Sequence, residues 1–478
     1  MSQETTEGTV PLDPKSFTQL FLNGRYVAAQ NTETYSLRNP KDNSLVSDKL
    51  PIAGSVDVDA AVRYAEEAFN GPWSRFTAVQ RTECFLKLAS LLDQELTPIL
   101  KLDSLTSGIP ISLAPVRERN YIRNCVLYYA GWTDKHKGDY FPADDGFVKL
   151  VRHEPIGVCA AVNPFNAPLA TLFLKAAPAL ATGNVMIVKP KGRFPPGVVQ
   201  VITGPGSTGA LLSEHMRIRK ISFTGSVATG RRIQVAAAQS NLKRVTLELG
   251  GKSPAIVFED ANIDNAITWT VNAILTRSGQ LCVAASRVYL QESIADEFIQ
   301  KYKSRMKAAI DDMGDPQDPD VKLGPMVDQS QLERVKKMVD RGRSEAQLVV
   351  GGAQHGDTGC FMQPTVFLNP KDDAQVYRDE VFGPVSVIKT FATEEEALSL
   401  ANDTEYGLMS GVFTRDISRA LRFSSSLETG VVGVNCVSLQ NMQTPFGGKK
   451  QSGIGREFGE YALRLYTEPK TVLINMAA

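Results

Sequence analysis

Two side chains suggest a reaction in this 478-residue chain, a thiol and a carboxylate. Cys282 stands in SGQLCVAASR (278–287), a run of small, almost uncharged residues that suits a sulfur used as a nucleophile. Glu248 stands in TLELGGKSP (246–254), among apolar and glycine neighbours. Burial there raises a carboxylate's pKa toward that of a general base. Together they point to covalent catalysis at sulfur followed by hydrolysis. Singly, each has an ordinary reading, since free cysteine is among the most buried residue types and a carboxylate can cap a turn. Asn166, in VNPFNAPL (162–169), taken alone is a turn residue between prolines.

Two glycine-rich segments compete for a phosphate-binding role. GPGSTG (204–209) satisfies GxGxxG after a predicted strand, but the hexapeptide is common in loops. FTGSVATG (223–230) also follows a strand and leads into the helical pattern RRIQVAAAQ, and it is the preferred of the two.

The elements that must position these groups read as α/β. Short apolar strands at VMIVK (185–189), VVQVI (198–202), KISF (220–223) and AIVF (255–258) alternate with helical or glycine-rich stretches, the pattern of a doubly wound parallel sheet. Ahead of them, Asn23-Gly24 within FLNGRYV (21–27) predicts a tight hairpin, and apolar periodicity predicts covering helices over 56–70 and 78–93. FVKLVRH (147–153) alternates apolar and polar as an exposed antiparallel strand does, one suited to pairing with another subunit. From about 290 a second α/β region begins, where Ser293 with Asp296 and Thr393 with Glu396 have capping-box spacing. Two closely packed lobes should leave a ligand cleft between them.

Composition narrows the function. Lys plus Arg and Asp plus Glu are 52 each, so no net field draws nucleic acid or an acidic membrane surface. Six scattered cysteines, without CxxC spacing, indicate neither a disulfide framework nor a metal site. They fit a reducing, cytoplasmic setting, as does an N-terminus lacking signal or transit features. The weakly charged stretch 157–174 is interrupted by Asn163, Pro164, Asn166 and Pro168 and reads as core, not as a membrane span.

Joined to DEVFGPV (379–385) and PFGGKKQSGIGRE (445–457), these segments resemble the aldehyde dehydrogenase superfamily over essentially the whole chain. YYAGWTDKHKGDYFP (128–142), APALATGNVMIVKP (177–190), FPPGVVQVITG (194–204), SNLKRVTLELGGKSP (240–254) and LGPMVD (323–328) carry the same resemblance. It implies an NAD- or NADP-dependent oxidation of an aldehyde to an acid. Cys282 would be the nucleophile, Asn166 and the Cys282 amide the oxyanion donors, and Glu248 the base for the hydrolytic water. For the dinucleotide it implies Lys189 at the adenosine ribose and Gly225, Ser226 and Gly230 at the phosphate-facing turn and helix start. Glu380 would meet the nicotinamide ribose, with Phe382 beside the ring. Lys175, Gly250 and Gly251 would lie near the reacting centre. The implied fold is a Rossmann-like dinucleotide lobe (1–136 and 156–250), an α/β catalytic lobe (251–450) and a small β oligomerisation element (137–155 and 465–478). The partners expected are a small aldehyde and further copies of the chain, as a homodimer or homotetramer.

The chain departs from the pattern between Lys189 and Val198, where eight residues replace a helical crossover and Gly192 stands at a family glutamate position. Parallel strands normally need a dozen or more connecting residues. The expectation is therefore uncovered apolar sheet surface and weakened dinucleotide binding, unless coding sequence has been lost from the gene model. Leu281, Ala285, Lys449 and Phe165 also depart from common family residues. Two rival functions follow, a non-catalytic dehydrogenase-like protein and a cysteine esterase, although none of the four histidines lies in a recognisable catalytic motif.

Overall fold

The computed structural model describes residues 18–113, 118–188 and 195–477. The strands Leu20–Leu22 and Arg25–Val27 form the hairpin that Asn23-Gly24 predicts, with both turn residues at positive φ. Helix α1 (Ser55–Asn70) buries Val58, Ala61, Val62 and Ala65 along one face. The helix predicted over 78–93 runs on to Ser107, through Pro98.

The first large sheet holds β1 (Val158–Val162), β2 (Val185–Ile187), β3 (Val199–Gln200), β4 (Lys220–Thr224) and β5 (Arg244–Glu248), with helix α2 (Pro168–Ala181) between β1 and β2 and helix α3 (Val227–Gln239) between β4 and β5. Its order is β5-β4-β1-β2-β3, and Gly453–Ile454 adds an antiparallel strand beside β5. The chain builds outward from β1 through β2 to β3, then returns to the other side of β1. The carboxyl ends of β1 and β4 therefore flank the point where strand order reverses, where ligands of such sheets bind.

Despite its length, the connection beyond Val188 joins strands that lie parallel and adjacent, Met186 opposite Val199 and Ile187 opposite Gln200. The expected uncovered surface is not found among the described residues. Val185, Met186, Ile187 and Val198 are fully buried, because α1 and α2 pack on β2. Gly197, at φ +85, lies so close to α1 that a methyl group there would come within 2.5 Å of the Tyr64 carbonyl and 2.8 Å of the Ala68 methyl. The edge strand β3 is in turn covered by the early hairpin, through Phe21 N–H to the Val201 carbonyl at 3.0 Å and Asn23 N–H to Gln200 Oε1 at 2.8 Å.

The second large sheet is built on β6 (Pro254–Val257), β7 (Arg287–Gln291), β8 (Thr365–Leu368), β9 (Val385–Phe391), β10 (Met409–Phe413) and β11 (Val431–Val434), in the order β8-β9-β7-β6-β10-β11 and all parallel. Gln347–Val350 pairs antiparallel at the β8 edge. Helix α4 (Ile263–Leu275) precedes β7 and helix α5 (Gln329–Glu345) precedes β8. Near-continuous burial of β6, β7 and β10 accounts for their apolar runs, since helices cover both faces of a parallel sheet. Asn262, Asp328 and Thr393 each cap a following helix, accepting from the N–H three residues on. Ser293 does not: it lies in a 3-10 turn, and the next helix, Ala295–Asp311, opens at Ile294 without a side-chain cap.

The alternating strand is observed as Phe147–Pro155, antiparallel between Asp139–Phe141 and the C-terminal Thr467–Asn475. Among the described residues no helix is long and apolar enough to cross a membrane.

Candidate active site at the seam of the two sheets

The proposed chemical residues come together where the chain passes from one sheet to the other. Asn166 follows the carboxyl end of β1, Glu248 is the last residue of β5, and Gly250-Gly251 crosses to β6. Cys282 precedes β7, and Glu380 and Phe382 precede β9. The crossing is tight: a methyl at Gly251 would overlap the Cys282 carbonyl oxygen, and one at Gly250 would overlap the Glu380 carboxylate. Glu380 Oε1 accepts from the Gly251 N–H at 3.0 Å.

Cys282 is half-buried, its thiol pushed up by burial and then by Glu380 and Glu248. A thiol raised in this way needs a base to take its proton before it attacks. Glu248 is buried and its pKa lies well above the ordinary carboxylate range, from burial and then from the nearby Glu457, with Lys175 and Arg456 opposing. Glu248 Oε2 is buried and has no hydrogen-bond partner among the described residues. A buried carboxyl oxygen left open in this way can hold a water or take a proton.

Lys175, on α2, donates to Ser222 Oγ at 2.9 Å and pairs with Glu457, so a fully buried cation is compensated on two sides. Lys220, two residues before Ser222 on β4, is buried with its amine over the Tyr466 ring and donating to Thr246 Oγ1 at 3.0 Å; burial lowers its pKa to about 7. Glu457 was not singled out in the sequence, although an acidic residue inside GIGRE is the only local sign it gives.

The Asn166 amide donates to the Gln280 carbonyl at 2.7 Å, which ties the β1 loop to the nucleophile loop. Gly279, at φ +71, packs on the Gly383 carbonyl, and the Phe165 and Phe382 rings meet edge to face at 5.6 Å. The 380–382 segment is held from behind. Arg334 donates to the Glu380 and Val381 carbonyls, both at 2.7 Å, Gln331 to the Phe382 carbonyl at 2.8 Å, and Lys252 to the Asp379 carbonyl at 2.6 Å. Phe382 itself has φ +56. Glu380 is half-buried, and desolvation raises its pKa to about 7 against the Gly251 N–H, Arg334 and Lys252.

Gly225 turns the chain after β4 beside the Phe223 ring, and Ser226 caps α3 by accepting from Thr229 N–H at 3.3 Å. Gly230 lies a turn further in and is buried, where a methyl would come within 2.8 Å of Leu249. Its smallness allows close packing of the helix on the sheet. Lys189 lies outside the described residues.

The profile of the aldehyde dehydrogenase family matches residues 26–472. The chain belongs to this family. It is 40% identical to "Aldehyde dehydrogenase, cytosolic 1" of Elephantulus edwardii over 480 residues, covering 96% of this chain and 95% of the relative. With an aldehyde dehydrogenase of Davidiella tassiana it shares 42% identity over 477 residues, covering 96% and 95%. Among solved structures, the NAD+ complex of an aldehyde dehydrogenase from Bacillus cereus superimposes with a TM-score of 0.94 at 35% identity, covering 98% of this chain and 99% of that one. This dehydrogenase therefore has the mixed α/β fold of the family and is an oxidoreductase of the aldehyde dehydrogenase class.

Proposed function

We propose that this dehydrogenase converts an aldehyde to a carboxylic acid with NAD+ or NADP+ through an acyl group carried on Cys282. The observation that carries the reading is the half-buried Cys282 thiol with two carboxylates beside it, the buried Glu248 and the half-buried Glu380, close enough to raise its pKa. Cys282 Sγ gives its proton to a carboxylate and bonds to the aldehyde carbon, placing charge on the former carbonyl oxygen. The Asn166 side-chain amide, redirected from Gln280, and the Cys282 N–H donate to that oxyanion. When bound, the dinucleotide supplies the hydride acceptor. Loss of the C–H electron pair leaves a thioester at Cys282. Glu248 then takes a proton from water as its oxygen attacks the acyl carbon, and the sulfur departs as the acid forms.

The residues present fit a dinucleotide. Gly225 and Ser226 open a 13-residue helix at the strand-order reversal, where backbone N–H groups and the helix dipole suit phosphate. Glu380 offers a shielded acceptor for the nicotinamide ribose hydroxyls, with Phe382 beside it. Lys189 would serve the adenosine ribose, and Lys175, Gly250 and Gly251 support the reacting centre.

We assign residues 1–136 and 156–250 to the dinucleotide lobe, 251–450 to the catalytic lobe, and 137–155 with 465–478 to an oligomerisation element. Exposed Tyr140, Phe141, Leu473 and Ile474 on that three-stranded sheet, with Met476 just beyond it, favour a homodimer or homotetramer. The cytosolic designation of the Elephantulus edwardii relative favours a cytoplasmic location. Incubation with an aldehyde panel and dinucleotide, followed by mass spectrometry, tests the chemistry. Glu248→Gln protein should retain an acyl adduct on the Cys282 peptide and release acid slowly. A variant that never carries the adduct, or turns over at the wild-type rate, removes the mechanism.

A further inference from the structure

We propose that Arg277 is the positioning residue that holds Asn166 against the nucleophile loop; the inference rests on the reading of Asn166 as the oxyanion donor. Arg277 stands five residues before Cys282, in the turn Thr276–Gly279 that follows α4. Its backbone is left-handed, φ 54 and ψ 33, and Ser278 follows at φ 54 and ψ 41. Two successive L-residues in this region are unfavourable and persist only where the surroundings hold them.

What holds them is a closed ring of three residues. Arg277 Nη1 donates to the Asn166 carbonyl, Asn166 Nδ2 donates to the Gln280 carbonyl at 2.7 Å, and Gln280 Nε2 donates to the Arg277 carbonyl at 3.0 Å. Val327 N–H anchors the ring by donating to Gln280 Oε1 at 3.0 Å, and Ser278 Oγ by donating to the Gly324 carbonyl at 2.6 Å. Arg277 Nη2 pairs with the Glu118 carboxylate at the start of the helix Arg119–Ala130, and both side chains are largely buried, 13% and 10% exposed.

The ring therefore links the loop after β1 to the residue two before the thiol. Asn166 is the only ring member whose side chain is assigned to the reacting oxygen. When that amide leaves Gln280 to meet an oxyanion, the Arg277 bond to its backbone is the ring contact that still fixes where the amide can swing. The charged donor makes this bond stronger than a neutral one.

The test is a double-mutant cycle on hydride transfer, followed as the pre-steady-state burst of reduced dinucleotide. Arg277→Met should slow the burst by about tenfold, the size of one charge-assisted hydrogen bond, with the KM for dinucleotide and the rate of Cys282 alkylation by iodoacetamide within about twofold of wild type. In an Asn166→Ala background the same change should cost less than about twofold, because the group it positions is gone. Arg277→Lys, which keeps the charge for Glu118 without the fork, should recover part of the rate. The Arg277→Met, Glu118→Gln double variant repeats the measurement without a stranded carboxylate, should the single variant unfold. The proposal is overturned by a burst slowed less than about threefold, by an equal loss in both backgrounds, or by parallel loss of alkylation. Failure of the aldehyde-oxidising reading looks different: wild-type protein forms no reduced dinucleotide from any aldehyde.

Discussion

Glu380 is the residue whose ionisation the fold controls most usefully. Burial raises its pKa to about 7, so the carboxyl is neutral below that pH and an ionised acceptor above it. Dinucleotide affinity should therefore rise from pH 6 to pH 8 and stay flat in Glu380→Gln; calorimetric titrations at several pH values check this, and identical profiles for the two proteins would dismiss the assignment. Asn166→Ala should lower kcat by about two to three orders of magnitude, equivalent to roughly 2.7–4 kcal/mol of oxyanion stabilisation, with the urea midpoint unchanged. Cys282, Glu248 and Asn166 were legible in the sequence because each sits in a segment whose surrounding residues are themselves distinctive. Arg277 and Glu457 were not. Their partners lie 111 and 282 residues away, Asn166 and Lys175, and nothing local marks either pairing.

At the scale of elements, legibility followed the period of the apolar pattern. β2, β4 and β6 are short continuous runs buried on both faces, the hairpin is fixed by Asn23-Gly24, and the strand Phe147–Pro155 announces itself by alternation. Ser293 misled because capping-box spacing states which residues could cap, while a 3-10 turn already occupied the entry to its helix. The short connection after β2 misled in a different way. A length rule for parallel crossovers does not include what α1 and α2 can cover. The nucleophile loop depends on Gly279, at φ +71 and against the Gly383 carbonyl. Gly279→Ala adds a strained backbone, about 1–3 kcal/mol, and a clash with the 380–383 segment. The expected result is a lower thermal midpoint together with a loss of turnover greater than that of Gly146→Ala, a loop glycine with open space around it; equal effects would show the contact to be slack.

For the whole molecule, two properties are open to measurement. Lys220 is buried with its pKa lowered to about 7, so the unfolded chain binds the proton between pH 7 and 10 and the folded chain does not. Stability should thus shift in favour of the wild type over Lys220→Met as pH is raised from 7 toward 10.5, and remain at a constant offset below 7. Urea unfolding of both proteins across that range reads the difference directly, and parallel curves would mean that Lys220 is not held neutral. The second property is assembly. Leu473 and Ile474 are 64% and 46% exposed on successive positions of one strand, so the small sheet shows apolar side chains on both faces. Leu473→Lys with Ile474→Lys should convert the proposed oligomer to monomer in sedimentation velocity; a sedimentation coefficient unchanged from wild type would remove this sheet as an assembly surface.

The glycine pair between β5 and β6 also has a mechanical meaning. If the two sheets rock relative to one another, Gly250-Gly251 is an axle between them, and the Cys282 carbonyl and the Glu380 carboxylate sit directly on it. Points on an axle travel least. Motion of one sheet against the other would therefore leave the Cys282 carbonyl and the Glu380 carboxylate nearly in place.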